Sequence, residues 1–200
     1  SIDIYKEESI KKFFADSLSY YGKIDVLINN SQVKPEGFYN SLGDYSKDTL
    51  MKVLEGNIVG VVLSCKEACK VFLKQGYGNI INVASIYGIS GADQRIYDGV
   101  ENIYDPKDKL SSPISYGISK AGVLNMTKYL ASYYREKGIR VNCLTPGGVF
   151  DNHDKKFTNN YSYRTLLGRM ANRDEFNGSI LFLASDASSY MTGANIIVDG

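Results

Sequence analysis

The chain has 200 residues, of which 44% are hydrophobic and 22% charged, and its 23 Lys and Arg against 22 Asp and Glu leave a formal net charge of +1. That is enough apolar material for one globular domain spanning residues 1–200, and a near-balanced charge with no basic tract argues against nucleic acid or an anionic membrane as partner. No segment has the uninterrupted apolar run of a membrane span and the first residues lack the layout of a signal peptide, so the expected site of action is the cytoplasm.

In chain order, Ser1 to Ile4 reads as the tail of a strand, and Glu7 to Tyr20 carries Ile10, Phe13, Phe14 and Leu18 at helical spacing. Ile24 to Asn30 is a short apolar run ending in two amides, the pattern of a buried parallel strand. Thr49 to Lys74 is the longest helical pattern, ended by Gly78, and its middle is unusual because Gly56 and Gly60 bracket Asn57. Glycine inside a helix costs about 1 kcal/mol relative to alanine. Two readings of that stretch stand side by side: close packing against a neighbouring helix, or a local kink that frees a carbonyl to hold a water.

Asn79 to Ser85 reads as a second strand, Tyr116 to Arg135 as a helix, Ile139 to Thr145 as a strand closed by Pro146-Gly147-Gly148, Asp174 to Ala184 as a helix and Asn195 to Asp199 as a last strand. Strands alternating with helices predict an α/β fold with a parallel sheet covered on both faces. Two stretches break the rhythm. Ile86 to Ser115 is too long for an ordinary connection, and Asp151 to Arg173 is a second polar excursion. Both leave the carboxyl end of a strand, where open α/β sheets bind ligands.

The chemistry-bearing candidates are few. Cys65, Cys69 and Cys143 are odd in number with no paired spacing, which predicts buried structural thiols rather than disulfides, and the single His153 in a polar loop gives no metal set and no histidine-based nucleophile. A Tyr followed four residues later by a Lys occurs twice, at Tyr116/Lys120 and Tyr133/Lys137. The spacing puts each pair on one helix face. The second lies at a helix end beside Gly138, where a solvated lysine is ordinary, whereas Tyr116 follows a strand that ends in Ser85.

Taken in order, Asn29-Asn30 after a strand, Asn57 in a long helix, Ser85 at a strand end, Tyr116 with Lys120, Pro146-Gly147, and Thr192-Gly193 running to Val198-Asp199-Gly200 resemble the landmarks of the short-chain dehydrogenases/reductases. The resemblance covers the chain from Asp3 onward. It implies a Rossmann-like doubly wound parallel sheet in three α/β/α layers, lacking its first strands. It also implies NAD or NADP as cofactor, no metal, and a secondary alcohol and ketone as substrate pair. By the resemblance Asn57, Ser85, Tyr116 and Lys120 are the catalytic set: Tyr116 the acid/base, Lys120 lowering its pKa and holding the cofactor ribose, Ser85 holding the substrate oxygen, and Asn57 seating a water. Asp3, Asn29, Asn30, Pro146, Gly147 and Val149, together with Tyr116 and Lys120, would line the cofactor. Bringing a phenol from about 10 to neutral pH takes about 4 kcal/mol of preferential phenolate stabilisation, which a neighbouring ammonium can supply.

The chain departs from the family's pattern in four places. The Gly-x-x-x-Gly-x-Gly turn that receives the cofactor pyrophosphate is absent, so residues 1–200 read as lacking the strand–turn–helix that normally carries it, and the Asn29 strand becomes a bare edge expected to leave this stretch unstable and inactive alone. Ser31-Gln32 stands where Ala-Gly is usual, and Asp151 replaces a threonine that touches the cofactor phosphate, with Asn152 as a substitute. The Ser85 to Tyr116 separation is 31 residues, against about a dozen in single-domain members. Together with Gly76 to Asn82, Pro146-Gly147-Gly148 and Asp151-Asn152, the combination is similar to bacterial oxidoreductases of flagellin or surface-glycan modification, and a polar, Tyr-rich insertion suits a sugar phosphate or nucleotide sugar. The alternatives are a 3-oxoacyl thioester reductase, against which the polar Asp151 to Tyr163 loop tells, and a non-catalytic dinucleotide-binding sensor, against which the complete set of four tells. Members of the family commonly assemble as homo-oligomers, dimers or tetramers, on the two long helices.

Overall fold

The computed structural model describes residues 2–107 and 109–200. Helix α1 (Glu7–Tyr21) leads to strand β1 (Val26–Asn29), then α2 (Lys47–Leu54), a π-helical turn (Glu55–Val59), α3 (Gly60–Gln75) and β2 (Gly78–Val83). The second half adds α4 (Ile114–Tyr133), β3 (Ile139–Pro146), α5 (Lys155–Ser162), α6 (Asn177–Ala184) and β4 (Asn195–Val198). The four strands form one parallel sheet in the order β1-β2-β3-β4, with Leu27 opposite Ile80, Ile80 opposite Val141 and Leu144 opposite Ile196.

Alternation along the strands divides the core into two layers. Ile80 and Val141 face α1, α3 and α4, packing with Ile10, Phe14, Cys65, Ala68 and Phe72. Ile81 and Leu144 face the other way, onto Phe176 and Leu183 of the α6 region. This is the three-layer Rossmann-like arrangement, and it puts the carboxyl ends of β1, β2 and β3 on one side of the sheet. Among the described residues β1 is an edge strand, with Ile28 42% exposed.

Several local expectations change. Ile2 to Ile4 is not a strand, and Ser1 lies outside the described residues. The Asp3 carboxylate accepts from the Tyr5 N–H at 3.1 Å and the Asp3 carbonyl from the Lys6 N–H at 3.1 Å, a turn that delivers the chain into α1. The helix starting near Thr49 is capped by Ser46, whose hydroxyl accepts from the Thr49 N–H at 3.0 Å. It ends at Gly76, in the left-handed region with φ 80°, and not at Gly78, which already belongs to β2.

Within the long helix the glycine stretch combines a change of helical spacing with close packing. The Gly60 N–H bonds the Glu55 carbonyl, the wide spacing of a π turn. The close packing is against loops rather than a helix: a β-carbon on Gly56 would lie 2.6 Å from a Val33 methyl, and one on Gly60 2.7 Å from the Ile4 carbonyl oxygen.

The two excursions fold against each other. Asp151 to Arg173 contains α5, whose start Asp154 caps through hydrogen bonds from the Lys156 and Phe157 N–H groups at 2.8 and 3.1 Å. Residues 86–115 contain 3-10 turns at Ile86–Gly88 and Gln94–Tyr97. Ile96 of the second turn packs with Tyr161 and Met170, Asn160 Nδ2 donates to the Ile96 carbonyl at 3.0 Å, and Arg164 pairs with Asp93. Polar sequence hid this cap because its apolar contacts are few and far apart in the chain.

Candidate active site

Ser85, two residues past the end of β2, and Tyr116 and Lys120, in the first turns of α4, are brought together by a close helix–turn approach. The Ser85 hydroxyl accepts from the Tyr87 N–H at 3.2 Å and starts the 3-10 turn Ile86–Gly88. Gly88 in that turn lies against α4: a β-carbon there would be 2.6 Å from the Lys120 carbonyl carbon and 2.8 Å from its oxygen. Any side chain would push the turn, and Ser85 with it, off the helix.

Lys120 is 5% exposed and its ammonium donates to the Val83 carbonyl at 2.8 Å. Its Nζ lies 5.7 Å from the centre of the Tyr116 ring. Burial brings the ammonium down from 10.5 to about 8. The Tyr116 phenol moves the other way: burial raises it, and a hydrogen bond with Ser85 offsets only part of that rise. The lowering expected from Lys120 is therefore not produced by these side chains alone, because desolvation outweighs the help that Ser85 gives the phenolate.

Asn57 does not reach this group directly. Its Oδ1 accepts from the Val33 N–H at 2.9 Å and its Nδ2 donates to Ser119 Oγ at 3.4 Å. The side chain thus ties the loop after β1 to α4. Asn29 is equally committed: its amide donates to Asn82 Oδ1 at 2.9 Å and to Cys65 Sγ at 3.2 Å, and Asn82 in turn donates to Thr127 at 2.9 Å. Cys65, Cys69 and Cys143 are free and buried, and burial pushes the first two thiols up to about 12 and about 11.

Ser85, Tyr116 and Lys120 open onto a cleft of about 420 Å³ at the carboxyl ends of the strands. Asn30, Pro146, Gly147 and Val149 line it, whereas Asp3 lies outside it in the turn before α1. Gly147 is needed where it stands, since a β-carbon would be 2.8 Å from the Asp199 Cα. The next residue is held by Tyr161, whose phenol oxygen accepts from the Gly148 N–H at 2.5 Å. Asp151 turns its charge onto Arg173, which answers the repulsion expected of a carboxylate here, and Asn152 sits exposed with φ 52° away from the cleft lining.

The cleft also collects residues that the sequence did not single out for this site: Lys34, Tyr87, Tyr97, Tyr161 and Arg173, together with His153. Each comes from a loop whose approach is set by tertiary packing, so no spacing could have grouped them. Tyr97 also borders a second cavity of about 750 Å³ between residues 94–114 and the Asn40 to Leu42 segment.

A family profile described as short chain dehydrogenase matches residues 1–97, and one described as enoyl-(acyl carrier protein) reductase matches residues 108–200. The post-translational flagellin modification protein A of Campylobacter coli is 30% identical over 99% of this chain and 75% of its own length. The chain belongs to the short-chain dehydrogenase/reductase family. A 3-oxoacyl-(acyl-carrier-protein) reductase of Chlamydia trachomatis is 28% identical over 100% of this chain and 73% of its own length. A short-chain dehydrogenase of Leptospira borgpetersenii, solved with bound NAD+, superposes with a TM-score of 0.87 at 36% identity, covering 99% of this chain and 72% of that one. As a family member the protein is an oxidoreductase acting on CH–OH groups. Among the described residues no helix is long and apolar enough to cross a membrane.

Proposed function

We propose that the protein interconverts a secondary alcohol and a ketone with NAD or NADP, on a sugar phosphate or nucleotide sugar, in the cytoplasm and as a homo-oligomer. One observation carries the reaction: Ser85, Tyr116 and the buried Lys120 line a single cleft at the carboxyl ends of the strands. The fit of a dinucleotide rests on the same cleft. The ammonium has one main-chain acceptor at 2.8 Å and two further N–H bonds to offer a ribose, and Gly147 and Gly148 present main chain with no side chain in the way. Bound there, the nicotinamide would give or take the hydride.

The residues' own work is proton handling and orientation. In reduction the Ser85 and Tyr116 hydroxyls donate to the ketone oxygen, and the Tyr116 proton passes to it as the C–O double bond becomes a single bond. In oxidation the phenolate takes that proton back. A buried phenol that stays protonated near neutral pH is ready to act as the acid. Lys120, by its positive charge, lowers the cost of the phenolate left behind. Asn57, with both ends of its amide in use, braces the loop after β1 against α4, so a water link to solvent would have to run through the main chain of the π turn.

Support for a polar substrate comes from the walls. Lys34, Asp151, His153 and Arg173 line the cleft beside tyrosines, a poor surface for an acyl chain. That weighs against the thioester reductase reading, which the Chlamydia relative would otherwise favour. The likeness to the Campylobacter flagellin protein favours a glycan substrate by analogy. The test of the mechanism is Tyr116→Phe in the complete gene product. It should abolish nearly all turnover while leaving NAD(P)H binding intact, and near-normal rates would overturn the assignment.

A further inference from the structure

Two side chains in the cleft have no part in the proton chemistry, and their bonding is incomplete in a complementary way. Lys34, in the loop after β1, sits over the Tyr39 ring with 5.8 Å between Nζ and the ring centre, and no carboxylate pairs with it among the described residues. The other cation of the cleft wall differs, since Arg173 is neutralised by Asp151. His153, in the loop after β3, accepts the Asp151 main-chain N–H on Nδ1 at 3.1 Å. An imidazole that accepts on Nδ1 carries its proton on Nε2 when neutral. Its ring is steadied by Phe157 and Phe150, with ring centres 5.1 and 6.4 Å away. The result is one fixed N–H donor and, besides Lys120, one ammonium without a carboxylate partner in a single cleft with Ser85 and Tyr116.

We propose that Lys34 and His153 form an anion subsite that receives a phosphate or carboxylate group of the substrate while Ser85 and Tyr116 hold the reacting oxygen. The assignment rests on the oxidoreductase reading for the position of the substrate, but binding at the subsite needs no turnover. The two groups also sense each other: partial burial and the Lys34 charge hold the imidazole below its ordinary pKa, with the Asp151 carboxylate opposing them. A neutral ring offering a single N–H beside a point charge suits an oxyanion with several acceptor oxygens.

The experiment is a titration of the complete protein, first without and then with NADH, by sodium phosphate, sodium acetate and glucose. The readout is the His153 ring resonance in two-dimensional NMR, assigned by its loss in His153→Gln. A saturable shift with phosphate or with acetate is expected and tells which anion is taken, and glucose should give none. Lys34→Met should weaken that binding roughly tenfold, Lys34→Arg should restore most of it, and Tyr116→Phe should leave it unchanged. Failure of the catalytic reading would show in turnover of Tyr116→Phe and leave this titration standing. No saturable shift with either anion, equal affinity in Lys34→Met, or a response that disappears when NADH is bound would overturn the subsite, the last by assigning it to the dinucleotide.

Discussion

Replacing Lys120 by methionine should make the protein more stable and inactive at once. The folded state lowers the Lys120 pKa from 10.5 to about 8, chiefly by desolvation, and the side chain is only 5% exposed. At about 1.36 kcal/mol per pKa unit, the buried charge costs about 3 kcal/mol at neutral pH. The sign follows from proton counting. Between pH 8 and 10.5 the unfolded chain keeps the proton and the folded one has lost it, so stability rises with pH across that window and the deficit is complete below it. Methionine matches the unbranched stem but leaves the Val83 carbonyl without the donor now 2.8 Å away, which returns about 1–2 kcal/mol. A net gain of about 1–2 kcal/mol corresponds to a rise in Tm of about 3–6 °C for a chain of this size. Thermal unfolding of the complete gene product by circular dichroism at about pH 7 and about pH 9.5 would show the gain at the first and its near disappearance at the second. A variant less stable than wild type at the lower pH, or a gap indifferent to pH, would refute the claim that desolvation dominates at Lys120.

Three further outcomes are expected. Gly88→Ala should destabilise the protein by about 1–3 kcal/mol and cut kcat by more than KM for the cofactor, because its β-carbon would displace the turn carrying Ser85 from the α4 main chain; denaturant unfolding and initial rates check both. In the absence of dinucleotide, Tyr116 should ionise above the ordinary tyrosine value, read as the tyrosinate absorbance lost in Tyr116→Phe, whereas the oxidative rate with NAD+ bound should rise through a lower apparent pKa; coincidence of the two would remove any role for the cofactor charge and Lys120 in activating the phenol. Residues 1–200 expressed by themselves should associate through the exposed β1 edge and bind NADH weakly, and a monodisperse, two-state protein with tight NADH binding would contradict this.

The strands and the helices α1 and α3 were legible because burial on both faces of a parallel sheet leaves short apolar runs, and because each of these helices buries one largely apolar stripe. The π turn was legible only as an anomaly. Glycine at 56 and 60 signalled close approach or a break in the helix; the structure has a π turn and close approach there, but the partners Val33 and Ile4 come from segments with no periodicity to place them. Ile2 to Ile4 misled because three apolar or short residues look the same in a strand and in a turn, and only the hydrogen bonds to Asp3 decide. Ser85, Tyr116 and Lys120 could be named from order along the chain. Their electrostatics could not, since desolvation at Tyr116 depends on Tyr87 and on loops from distant segments.

The same distinction explains how the site is divided. In the proposed mechanism the groups that would move the proton lie just past β2 and on α4, held together by the close approach of Gly88 to the Lys120 main chain. The groups that would meet the rest of the substrate lie on loops after β1 and β3 and on the insertion before α4, which are joined by Asn160 to Ile96, Arg164 to Asp93, and Tyr161 to the Gly148 main chain. Tyr161 is therefore in both camps: its ring packs with Ile96 and Met170 under the cap, and its phenol sets the Pro146 to Gly148 turn beside the expected nicotinamide. A substrate that ordered the cap would pull on that phenol, which would link substrate recognition to the position of the turn at Gly148. In such an arrangement the long insertion would do more than enlarge the pocket: it would make the geometry beside the reacting centre respond to what fills the cleft.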